Sequence, residues 1–140
     1  MKLKRAQRRE PSPENVRPSE LPVRQALSLA SQTEDIEVVL DLTRHPSPEV
    51  RQRALREMCP CRVKTDLSAF WQRVLEMKDD PEARVRQQVA HTLCDGAPNH
   101  MEHEVVEVLR EFNRDADATV RRMVHKALVS YDRTGRWNVL

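Results

Sequence analysis

Glycine occurs only twice in the 140 residues, and aromatic side chains make up 4%. Hairpin turns rely on glycine or asparagine at positive φ, so the first scarcity speaks against a tight-turned β fold. The second, beside a charged content of 33%, speaks against a large deep active site and suits an elongated helical protein with a thin core. No apolar run approaches the roughly 18 residues of a membrane span. The basic start MKLKRAQRRE is followed by no apolar stretch and does not read as a secretory signal. Cys59, Cys61 and Cys94 are an odd number and form no disulfide framework. They point to a reduced intracellular compartment, cytoplasmic or, in a eukaryote, nuclear. The net charge of +2 is too small to select a partner, and the length fits one compact domain or a short repeat array.

What the chain does have is repetition. RHPSPEVRQRALREMC (44–59), DDPEARVRQQVAHTLC (79–94) and RDADATVRRMVHKALV (114–129) share a skeleton at a period of 35 residues. Val50, Val85 and Val120 coincide, as do Arg51, Arg86 and Arg121. A fixed period of this size signals a repeat architecture. The preceding segments keep the same period, with apolar columns Ile36/Trp71/Val106, Val39/Val74/Leu109 and Leu42/Met77/Phe112. That spacing keeps one helical face apolar. Each unit therefore reads as helix, turn, helix, over about 33–61, 68–96 and 103–131. Pro46, Pro48 and Pro81 suit the first turn of the second helices. A single hairpin cannot bury its stripe alone, so the units must stack.

The flanks differ. Residues 1–20 hold three prolines and few apolar side chains and read as a flexible basic arm, with residues 21–140 forming the folded domain. Leu21, Ala26, Leu27 and Ala30 predict a short capping helix, and Ser31 with Glu34 has the order of a capping box opening the next one. At the other end Gly135 is placed to end a helix. Trp137, Val139 and Leu140 then form either a lid over the last unit or, for Trp137, an exposed anchor for a partner.

Asp80-Pro81-x-x-x-Val85-Arg86 followed by Val89, Ala90 and Leu93 resembles the signature of HEAT repeats. The third unit keeps Asp115, Val120, Arg121 and Leu128 with Ala116 in place of the proline. The first keeps Pro46, Val50, Arg51 and Ala54 with His45 in place of the aspartate. The resemblance implies an all-α, right-handed α-solenoid of about three hairpins. It also implies that Asp80, Asp115, Arg51, Arg86 and Arg121 form a structural ladder, each arginine bonding an aspartate in its own or a neighbouring unit. The fold serves many functions and names none.

Removing core and ladder positions leaves Gln52, Arg53 and Arg56 in the first unit, Gln87 and His91 in the second, and Arg122 and Lys126 in the third. In HEAT arrays these positions line the concave side. Arg56, His91 and Lys126 share one column. The second helices carry eight basic residues against four acidic ones, and the first-helix segments five against eleven. A modest basic inner face opposite an acidic outer face is either simply solvated or a groove for an acidic partner. The groove implies a non-catalytic scaffold or adaptor that recognises an acidic protein surface. The alternative is nucleic acid, held by the inner stripe and the arm's Lys2, Lys4, Arg5, Arg8 and Arg9. Phosphate binding needs many cations and single strands need aromatic platforms, which makes it the second choice.

No catalytic motif is present: no G-x-G-x-x-G, P-loop or G-x-S-x-G. Cys59 and Cys61 with His45, His91 or Cys94 do not match a C-x₂₋₄-C zinc pair, and Cys59 and Cys94 share the repeat position of Val129, which marks a small buried hydrophobe. The histidines of NHMEHE are not spaced as H-E-x-x-H. HEAT-like DNA glycosylases place tryptophan and acidic residues on the concave face, and these positions hold neither. The expectation is no enzyme, no cofactor and no metal.

Overall fold

The computed structural model of the chain describes residues 16–57 and 68–140. Most of the predicted arm (1–15), and the segment 58–67 with Cys59 and Cys61, lie outside the described residues. Among those described the structure is all-helical, with no strand: α1 (Val23–Gln32), α2 (Ile36–Leu42), α3 (Pro48–Glu57), α4 (Ser68–Glu76), α5 (Ala83–Gly96), α6 (Glu102–Phe112) and α7 (Ala118–Thr134). Short 3₁₀ turns occupy Pro18–Glu20, Met77–Asp79 and Asn99–Met101.

Local chemistry accounts for these elements. In α6, Val105, Val106, Val108, Leu109 and Phe112 are buried at helical spacing, while Glu104, Glu107, Arg110 and Glu111 are exposed. Glu102 and Glu104 sit in its first turn, at the positive end of the helix dipole. Asp117 opens α7 by accepting the Val120 N–H at 2.9 Å. Gly135 closes it at φ 73°, a left-handed conformation that favours glycine, with its N–H returned to the Tyr131 carbonyl.

Two local expectations are corrected. Ser31 lies inside α1 and donates its hydroxyl to the Ser28 carbonyl. The start of α2 is capped instead by Asp35, whose carboxylate accepts the Glu37 N–H at 2.9 Å. An ionised acceptor holds such an N–H more strongly than a hydroxyl does. Of the three prolines, only Pro48 begins a helix; Pro46 and Pro81 stand in the turns before α3 and α5.

The hairpins are α2–α3, α4–α5 and α6–α7, and two rows build the molecule. Helix α3 packs on α5 and α5 on α7, while α2 packs on α4 and α4 on α6. Helix α1 extends the first row by packing on α3, and the turn Pro18–Glu20 lies against α2. Val50, Val85 and Val120 are fully buried, as are Leu42, Leu55, Val74, Val89, Leu93, Leu109 and Val124. Small side chains let α1 approach α3 closely, since its buried residues are Ala26 and Ala30.

Both flanks of the described helices are tied down. Arg17 pairs with Asp41 at 2.7 Å, and Asp41 also accepts the Ser19 N–H at 2.8 Å. The last residues of the predicted arm are therefore docked on α2. At the other end Trp137 is buried edge-on to Tyr131, and the Leu140 N–H reaches the Cys94 carbonyl at 3.2 Å. Trp137 is thus a packed residue, and the tail turns back towards α5.

Candidate partner-binding groove

The arginine after each repeat valine links turn to turn. Arg51 gives Nε and Nη2 to the two carboxylate oxygens of Asp80 at 2.9 and 3.0 Å, and Nη1 to the carbonyls of His45 and Pro46. Arg86 meets Asp115 in the same way at 2.9 and 3.1 Å, with Nη1 on the Asp80 carbonyl. Each aspartate is consequently bridged from the preceding unit and also accepts an N–H two residues on, from Glu82 or Asp117. Arg121 keeps only the inner half of the pattern, with Nη1 on the carbonyls of Asp115 and Ala116. Two-pronged arginine–carboxylate pairs fix geometry as well as adding energy.

His45 stands where the other units have aspartate. Its Nδ1 accepts the Ser47 N–H at 2.9 Å, reproducing the bond made by Asp80 and Asp115. Its Nε2 lies 2.8 Å from the Leu21 carbonyl, which only an N–H can satisfy. The two partners select the neutral Nε2–H tautomer.

The residues proposed for binding divide into two groups. Gln52, Arg53 and Arg56 line a groove of about 540 Å³ between α1 and α3, together with Leu27, Ser28, Ser31, Glu49 and Arg84. Gln52 accepts from Arg84 Nε at 2.8 Å, which orients that guanidinium. Arg53 is paired with Glu57 at 2.7 Å, and Arg56 is exposed. Gln87, His91, Arg122 and Lys126 do not line this groove. Gln87 donates to Asp117 at 3.1 Å and braces α5 to α7, while Arg122 donates to Thr119 within its own helix. His91 is half-buried on α5 and Lys126 exposed on α7, so Arg56, His91 and Lys126 stand on three successively packed helices.

The repeat columns did not reveal Arg84 or the α1 residues of the groove. Arg84 lies just before the repeat valine, on the flank of its helix. Helix α1 falls outside the 35-residue register, so its neighbours could not be read from the period.

Compared with family models, curated proteins and solved structures, the chain matches none. Among the described residues no helix is long and apolar enough to cross a membrane, and no group of three or more His, Cys, Asp or Glu side chains is placed to hold a metal ion. Cys94 is buried, which pushes its thiol up to about 12 and keeps it neutral.

Proposed function

We propose that this chain is a HEAT-type, right-handed α-solenoid of about three hairpins that acts as a non-catalytic scaffold or adaptor. Its partner is a protein presenting an acidic surface to the groove beside α1, α3 and α5. The observation that carries this reading is the meeting of Arg53, Arg56 and Arg84 at one groove with Gln52, Ser28 and Ser31. Glu49 and the Arg53–Glu57 pair offset part of that charge, so Arg56 and Arg84 are the cations free to meet a partner. The two helix rows and the turn-to-turn arginine–aspartate pairs support the architectural part.

The test is binding of a fluorescent glutamate-rich peptide and, separately, of a DNA duplex. Peptide affinity is expected to fall at least about tenfold in Arg56→Glu and Arg84→Glu, because like charges set face to face cost affinity. Glu107→Lys, on the exposed face of α6, is expected to leave it unchanged. DNA affinity that exceeds peptide affinity and drops steeply with salt, by about 0.9 log units per phosphate neutralised for each tenfold rise in salt, selects the nucleic-acid reading instead. Peptide binding indifferent to both groove reversals removes the groove from consideration.

A further inference from the structure

One face that is covered in the second unit, and at Leu55 in the first, is open in the third. Leu55 and Ala90 share a repeat position and are fully buried, whereas His125, at the same position of α7, is exposed. Cys94 and Ala97 are buried, while their counterparts Val129 and Asp132 are exposed, Val129 at 41%. Arg51 and Arg86 each give Nε and Nη2 to an aspartate of the next unit. Arg121 uses only Nη1, and the other half of its guanidinium has no acceptor among the described residues. The C-terminal tail leaves this face free because it turns back to the Cys94 carbonyl.

Positions 121, 125, 129 and 132 advance by four, four and three residues, so they form one stripe about 16 Å long on α7. The stripe is positive at the Arg121 end and negative at the Asp132 end, and Asp132 has no ion-pair partner among the described residues. Such a stripe is complementary to itself when turned end for end.

We propose that this stripe is a self-association surface. Two copies of the chain pair through α7, antiparallel about a two-fold axis, so that Arg121 of each copy meets Asp132 of the other. His125 and Val129 fill the centre. A two-fold contact must be self-complementary in this sense, and the carboxylate it brings to Arg121 matches what Arg51 and Arg86 already bind inside the chain. Head-to-tail stacking is blocked: the first unit presents His45, whose Nδ1 is already occupied and whose Nε2 is bonded to Leu21, and α1 covers that side. Arg122, Lys126 and Arg133 lie to one side of the stripe, and their mutual repulsion weakens the pair. One helix per copy buries little area, so the contact belongs with weak, transient interfaces.

Sedimentation equilibrium on the full chain, at physiological salt and from about 10 μM to 1 mM, reads the outcome. The average mass is expected to rise from 16.3 kDa towards twice that value. Asp132→Arg is expected to weaken association at least about tenfold, and the double variant Arg121→Glu/Asp132→Arg to restore it. Arg121→Glu alone also removes bonds inside its own unit, so the exposed Asp132→Arg carries the single-variant reading, with a melting curve verifying its fold. A monomer at every concentration overturns the proposal. So does a dimer that survives Asp132→Arg, or a charge swap that fails to restore pairing.

Discussion

Position 45 shows how a departure from the repeat is dictated by a neighbour. Aspartate at 80 and 115 receives a guanidinium from the unit before it, whereas among the described residues none reaches the His45 ring. What faces it is the Leu21 carbonyl, an acceptor. A histidine can accept the Ser47 N–H on one nitrogen and donate to Leu21 from the other; a carboxylate can only accept. Substituting His45→Asp restores the repeat residue, yet it is expected to destabilise the protein by about 1–3 kcal/mol by setting two acceptors against each other. Urea unfolding checks this, and a variant as stable as the wild type contradicts the tautomer assignment. Arg86→Ala is expected to cost about 2–3 kcal/mol, since it strips a largely buried carboxylate of its partner. Arg56→Ala, at an exposed position, stays within about 0.5 kcal/mol.

Among the elements, the C-terminal tail is the least regular and the most informative. Trp137 is 3% exposed, and its indole N–H has no acceptor among the described residues. Its ring therefore contributes packing while its N–H is a liability. Trp137→Ala is expected to cost about 3 kcal/mol. Trp137→Phe keeps most of the apolar contact and removes the unpaired donor, so its thermal midpoint is expected to match or exceed that of the wild type. A Phe variant as unstable as the Ala variant means that the N–H is bonded in solution. The helices themselves were largely legible. The 35-residue period marked Val39, Val74 and Leu109 as core, and these are buried. Boundaries were less legible: Ser31 looked like a cap, but Asp35 lay nearer the N–H groups that needed one.

For the whole molecule, acid is the condition that strains it. Burial pushes the Asp115 carboxyl up, but the Arg86 guanidinium and the Asp117 N–H outweigh it and hold the group below its ordinary range. At Asp41 burial is again outweighed, by Arg17 and the Ser19 N–H. One carboxylate joins the second and third units, and the other fastens the N-terminal segment to α2. A carboxyl depressed in the folded state adds stability above its unfolded value, about 3.9, and that stability is lost as pH falls through the folded value. The melting temperature is expected to fall on acidification between about pH 5 and 2. In Arg86→Ala the slope is expected to be shallower, because Asp115 no longer has a guanidinium to lose. Parallel profiles for the two proteins exclude Asp115 as a source of acid sensitivity.

Periodicity, composition and turn chemistry are local properties, and they suffice for an all-helical chain and for much of its core, though Ile36 in the first column is only partly buried. The Asp–Arg spacing was visible at the same level, but whether each arginine served its own unit or the next was not. The distance across a stacked interface decides that, and no sequence offset encodes it: Arg51 reaches Asp80 with its outer nitrogens and its own turn's carbonyls with the inner one. Helix α1 lies outside the register, so only packing could set it beside α3 and close a groove around Arg53, Arg56 and Arg84. The open stripe on α7 has the same origin. Arg121, His125, Val129 and Asp132 look unremarkable in sequence, and become a surface only because packing buries Leu55 in the first unit and Ala90, Cys94 and Ala97 in the second, while their third-unit counterparts stay exposed.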